Sequence, residues 1–206
     1  MYTINQFDRE EARDIGISVL ALFVGVTVIV YIHYPRGIFS PGGLAAFSLA
    51  AGALTAGTGF LLHELAHRQT ARHFGGFARF RKWDLGIIMI LITSLVGFLF
   101  AAPGAVYFTG IYDKKQVGII SALGPITNMV MGLILFTGAV LTAGSLFISG
   151  ILLFAGQINL WLFLFNLIPV WQLDGAKVFA WNREAFVTLF AISILLFILT
   201  SAYLVF

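Results

Sequence analysis

The sequence predicts an all-α polytopic membrane protein, a helical bundle of about five to six spans. Three observations carry this. The 206 residues are 60% hydrophobic and only 10% charged, with a mean hydropathy of +0.98, whereas a soluble domain carries about a quarter charged residues. Charges are absent from 15 to 35, 37 to 62, 85 to 112, 116 to 173 and 185 to 206, and each gap holds a bilayer-length helix of roughly 20 residues. The polar remainder is too short for an attached soluble domain, so one membrane-embedded domain, 1–206, is expected.

The apolar segments fall at 15–34, 42–67, 85–102, 117–141, 146–168 and 185–206. The polar start, Met1 to Asp14, precedes a first run with no small-residue cleavage pattern, and that run reads as a retained span. Gly, Ala and Thr in the second segment (LAAGALTAGTG) suit close helix packing in lipid. The uncharged stretch from 116 to 173 is too long for one span, and Thr142-Ala-Gly-Ser145 is its natural break. No internal repeat supports an inverted-repeat transporter.

Arg68, Arg72, Arg79, Arg81 and Lys82 mark one connection as cytoplasmic. If all six segments cross, seven basic residues lie on that side and five on the other. If 85–102 enters and leaves on the same face, eleven of the twelve lie inside and only Arg36 outside. The charge rule therefore favours a re-entrant 85–102, which must line protein or water. These basic residues flank apolar segments, so no nucleic-acid role is expected, despite a pI near 9.4. The absence of cysteine excludes disulfides, thiolate metal sites and cysteine nucleophiles.

His63-Glu64-Leu65-Ala66-His67 ends the second segment. On a helix, histidines at i and i+4 share one face, where both imidazoles reach one Zn²⁺ with Glu64 beside them as a base for water. Glu64 is the one glutamate inside an apolar segment, and intramembrane ionisable groups are functional by default. A structural or proton-relay role is the competing reading. Catalytic zinc takes a third protein ligand. Asp84, Asp113 and Glu184 neighbour basic residues and read as solvated helix ends; His33 sits among Tyr31, Tyr34 and Pro35, and His73 in the basic loop. Asp174 differs, because Pro169 interrupts the apolar run before it and frees backbone carbonyls at membrane depth.

His63 to His67, Gly124-Pro125-Ile-Thr-Asn128, and Asn166-Leu-Ile-Pro169 followed by Leu173-Asp174-Gly175 resemble, in order, the signatures of the site-2 protease family of intramembrane zinc metalloproteases. The resemblance runs from about residue 15 to 185. It implies one Zn²⁺ per chain on His63, His67 and Asp174, with Glu64 as general base and transmembrane segments as substrates. It also implies a membrane-embedded hairpin or edge strand, for which Phe100-Ala-Ala-Pro103-Gly-Ala-Val-Tyr107 is the match, so that 85–108 forms one re-entrant and edge-strand region. The aspartate motif extends the fifth segment to 146–175.

His63, His67 and Asp174 must then meet at one depth, which a re-entrant 85–102 allows and six crossings forbid. Five full spans are expected, with the N-terminus inside, the C-terminus outside and the active site near the cytoplasmic side of a prokaryotic cell membrane. Asn128 is divided between interhelical bonding and a substrate or site-shaping role. Asn166, beside the proline break, is expected to position substrate or stabilise an oxyanion. Trp171 and Trp181 read as interfacial aromatics. Two rivals stand: a different membrane zincin class using Glu184, and a transporter or channel in which Glu64 and Asp174 relay protons or ions.

Overall fold

The structure is a computed structural model and describes residues 8–99, 102–170 and 172–203. Caps and breakers set its elements. Helix α1 (Arg9–His33) starts where the Asp8 side chain accepts the Glu11 N–H at 2.8 Å, and it stops at Tyr34, ahead of Pro35. Helix α2 (Pro41–Thr55) opens with Ser40 as cap and a proline in its first turn. It continues without interruption through a π-helical stretch, Ala56–Leu61, into α3 (Leu62–His73), so that Pro41–His73 is one 33-residue rod. Gly52 lets this rod lie against α1, since a Cβ there would meet the Phe23 carbonyl at 2.8 Å.

Strand β1 (Phe77–Lys82), helix α4 (Asp84–Ser94) and strand β2 (Gly104–Thr109) follow. The strands pair antiparallel, from Phe77 opposite Thr109 to Lys82 opposite Gly104. Helix α5 (Lys114–Leu141) is capped by Asp113, and α6 (Leu146–Asn166) by Ser145 after the expected break. Helices α7 (Asp174–Trp181) and α8 (Arg183–Tyr203) complete the described chain.

Among the described residues, five helices are long and apolar enough to cross a membrane: α1, the α2–α3 rod, α5, α6 and α8. Helix α4 is not, because its 11 residues span about 16 Å at 1.5 Å per residue, about half of a hydrocarbon core. Since β1 and β2 flank it and pair with each other, the chain from 83 to 103 leaves one end of the bundle and returns to it. This is the re-entrant geometry, and the strand pair is the small sheet beside it. Within the apolar segment 85–102 the helix ends at Ser94, and turns follow at 95–97. Phe100, Ala101 and Trp171 lie outside the described residues.

The basic connection from Arg68 to Lys82 is not a loop. Its first half is the end of α3, with His73 in the last turn, and its second half is β1. The cause is pairing. Arg68 is fully buried, and its Nε and Nη2 donate to the buried Glu11 carboxylate at 2.7 and 2.9 Å. Arg72 lies 3.7 Å from the same carboxylate, and the Phe80 N–H donates to it at 3.0 Å. Arg79 reaches Asp8 and Glu10, and Arg81 stands 3.5 Å from Glu10 and Asp14. The start of α1, the end of α3 and β1 are thereby bound together. Asp84 is in the first turn of α4, paired with Lys82, and Glu184 is in the first turn of α8, both as helix ends. Trp181 is partly buried against Ala122 and Val178.

Because α4 is too short to cross, cysteines placed at Lys82 and at Lys114 should react with a membrane-impermeant thiol reagent from the same face of sealed vesicles. The native chain has no cysteine to confuse the readout. Labelling from opposite faces would contradict this topology.

Candidate metal centre

Two elements, α3 and α7, deliver the ligand groups, and α5 packs behind them. Helix α3 presents His63 and His67 one turn apart, with ring centroids 4.6 Å apart. Asp174 opens α7 after the break at 167–173, where the Leu167 carbonyl and backbone lie so close to Gly175 that a Cβ would overlap them. Helix α5 lies against both histidines, and a Cβ on Gly124 would overlap the two imidazoles. Glycine at 124 and 175 therefore reflects space.

All three ligand residues are buried, and their ligand atoms lie within 4.8 Å of one another. The two Nε2 atoms are 2.9 Å apart, and Asp174 Oδ2 is 3.1 Å from that of His67 and 3.4 Å from that of His63. The other ring nitrogens fix the tautomers. His63 Nδ1 donates to Asn128 Oδ1 at 2.6 Å, and His67 Nδ1 donates to the Ile120 carbonyl at 2.8 Å. In the neutral rings that a metal requires, both Nε2 atoms then carry lone pairs, and these converge with a carboxylate oxygen on one point. Three acceptors so placed repel unless a cation stands between them. Ligands on a tetrahedral zinc with bonds of about 2.0–2.2 Å stand about 3.3 Å from each other, so these side chains fit one Zn²⁺.

The Asn128 amide is oriented by its own partners. Its Nδ2 donates to the Gly59 carbonyl at 2.8 Å and to Asn159 Oδ1 at 3.1 Å, which leaves Oδ1 for His63. Gly59 lies in the π-helical stretch, where i→i+5 bonding replaces the α-helical pattern, a feature frequent at functional sites. Asn159 on α6 in turn donates to Thr58 Oγ1 at 2.9 Å and to the Ala155 carbonyl at 2.8 Å. Asn128 and Asn159 are fully buried. Asn128 thus bonds across helices, to His63 and to Asn159, and holds the His63 ring. Asn159 was not singled out from sequence, where an asparagine in an apolar helix carries no signal beyond interhelical bonding.

Glu64, the neighbour of His63 on α3, is half-buried, and its Oε2 accepts the Val106 N–H of β2 at 2.9 Å. Asn166 is the last residue of α6, and its amide donates to the Leu162 carbonyl at 3.0 Å. Lys177 Nζ stands 3.7 Å from Asp174 Oδ1, the oxygen turned away from the histidines. Of the other sequence candidates, Asp84, Asp113, Glu184, His33 and His73 are not among the residues gathered here.

The chain is similar to two curated proteins. It is 34% identical over 182 residues to a protein of Methanocaldococcus jannaschii named a putative zinc metalloprotease, covering 87% of this chain and 88% of that relative. It is 31% identical over 140 residues to a Bacillus subtilis protein of the same description, covering 58% of this chain and 63% of that relative. No family model and no solved structure matches the chain.

Gly124→Ala should preserve the helices and lose zinc, read by circular dichroism and elemental analysis, because the new methyl displaces both imidazoles. Asn128→Ala should weaken zinc about 10- to 100-fold in chelator competition. Adding Asn159→Ala to Asn128→Ala should cost little more, since Asn159 acts on the metal through Asn128; additive losses would show an independent route.

Proposed function

The chain belongs to the zinc metalloprotease family of these relatives, and from that premise we propose that it is an intramembrane endopeptidase of the site-2 protease type. Its substrates are transmembrane segments of membrane proteins, cut within the bilayer. The observation that carries this reading is the buried convergence of His63, His67 and Asp174 beside Glu64, inside a bundle of five membrane-length helices. An intramembrane location of the ligands is what turns a general zinc protease into one that meets its substrate in lipid.

His63, His67 and Asp174 would hold Zn²⁺, which would supply Lewis acidity and make water easier to deprotonate. Glu64 follows His63 in sequence and is the base, taking the water proton and delivering it to the leaving amine. Asn128 holds His63 in the tautomer that directs Nε2 inward. Asn166 ends α6 at the break that carries Asp174, a position that supports its role toward the substrate carbonyl.

An intact helix hides its peptide bonds in its own hydrogen bonds, so the substrate must unwind locally. Strand β2 offers a partner for the unwound stretch, because its outer edge faces α3 at Glu64. With a re-entrant 85–102, eleven of the twelve basic residues fall on one side and Arg36 on the other, which supports a site near the cytoplasmic face with the N-terminus inside. The proton-relay reading needs no such convergence of lone pairs.

Glu64→Gln should keep zinc and fold yet abolish cleavage of a reporter with one transmembrane segment in liposomes, since glutamine preserves size but accepts no proton. Asp174→Ala should lose zinc as well as cleavage. Undiminished proteolysis by Glu64→Gln would exclude this mechanism, and ion flux lost in that variant without proteolysis by the parent would favour a transporter.

A further inference from the structure

One rung of the small sheet ends on a carboxylate at each side. Phe80 and Val106 are opposite each other in the register. The Phe80 N–H donates to Glu11 Oε1 at 3.0 Å, and the Val106 N–H donates to Glu64 Oε2 at 2.9 Å. In an antiparallel pair the N–H groups alternate between the partner strand and the outside. Phe80 and Val106 therefore form a non-hydrogen-bonded pair whose donors face outward in opposite directions. On the β1 side the outward donor is closed off by the buried Glu11 of α1. On the β2 side it is held by the proposed catalytic base. Glu64 sits where the carbonyl of an added strand would sit.

We propose that the Val106 N–H is a latch on Glu64 that the substrate itself releases. An extended substrate segment adding to the outer edge of β2 brings a backbone carbonyl to the Val106 N–H, displaces the Glu64 carboxylate, and frees it to receive the proton of water. One N–H cannot point along both directions at once, so the two acceptors compete. The bond to a carboxylate is the stronger of the two. A lone peptide carbonyl therefore does not win, but a segment that also pairs with other groups along β2 does. A transmembrane helix that stays wound has its carbonyls engaged internally and leaves the latch closed. The base is thus released only by a segment whose peptide bonds are already exposed. The inference rests on the proteolytic reading for the role of Glu64.

Zinc-loaded full-length protein in detergent tests it, with a fluorescein-labelled eight-residue peptide of alternating valine and threonine, long enough to lie along β2. Glu64→Gln and Glu64→Ala both remove the base and the charge, so the peptide stays intact in each. Glutamine keeps a carbonyl oxygen for the Val106 N–H, whereas alanine leaves that donor to the peptide. Glu64→Ala should bind the peptide about five- to tenfold more tightly than Glu64→Gln. Adding Val106→Pro to each should erase that difference. The Val106 N–H faces away from β1, so proline there removes the outward donor without breaking a ladder bond.

Equal affinities with Val106 intact, or a difference that persists with Val106→Pro, would overturn the latch. Amide hydrogen exchange at Val106 needs no second substitution and gives the same answer if the proline variants do not fold. Protection is expected in Glu64→Gln, loss of protection in Glu64→Ala, and its return on adding the peptide; an amide protected alike in all three states would overturn the proposal. Failure of the parent protein to cleave a transmembrane reporter counts against the proteolytic reading, while equal peptide affinities count against the latch, so the two failures are distinct.

Discussion

Three lone pairs aimed at one another inside an apolar bundle are the constraint from which the rest of the architecture follows. His63 and His67 each spend one nitrogen as a donor, on Asn128 and on the Ile120 carbonyl, which leaves both Nε2 atoms facing Asp174. The ligands come from α3 and from the start of α7, and α5 supplies the acceptors behind them. These parts must share one depth. The chain leaves α3 and enters α5 at the same end, so whatever lies between must return, and the 11-residue α4 between paired strands does so. Helices α5 and α6 then form an out-and-back pair that delivers Asp174 to the histidines. The topology is thus set by coordination as much as by hydropathy.

A second system anchors α3 from outside. Arg68 follows His67 directly, is fully buried and forms a two-point pair with Glu11. Breaking one partner of such a buried pair typically costs about 3–5 kcal/mol, because the remaining charge is stranded. The pairs of Arg79 with Asp8 and Glu10 involve exposed carboxylates, which solvent screens, and contribute little. Glu11 and Arg68 therefore dominate the network, and the exposed pairs chiefly define where β1 lies. The basic residues that the sequence offers as a mark of the cytoplasmic face are, in the structure, also partners of the N-terminal acids.

What the sequence revealed and what it hid divide along physical lines. His63, His67 and Asp174 were legible because ionisable groups in apolar sequence are costly and few, and Pro169 announced the break that precedes the buried aspartate. The turn at 142–145 was legible from its small polar residues. Strand β1 was not, since FARFRK reads first as a charge run; its alternation, with Ala78 and Phe80 buried and Phe77, Arg79 and Arg81 more exposed, is a weak signal over six residues. Glu11 was set aside with a polar tail because nothing local shows that Arg68, 57 positions away, will bury it. Asn159 and the π-helical stretch were invisible for the same reason: each has meaning only through a partner on another helix.

Helix α3 separates two hydrogen-bond systems that serve different parts of the chemistry. Successive residues on a helix are rotated by about 100°, so His63 and Glu64 face different sides although they are neighbours. The His63 side meets Asn128, Asn159 and Thr58, a closed set of neutral groups that fixes a ring orientation. The Glu64 side meets β2, which is tied through β1 to Glu11 and Arg68. The ligand set is thus held by rigid helices, and the base by a strand edge. A site built this way can keep its metal geometry constant while the base responds to what lies along the strand.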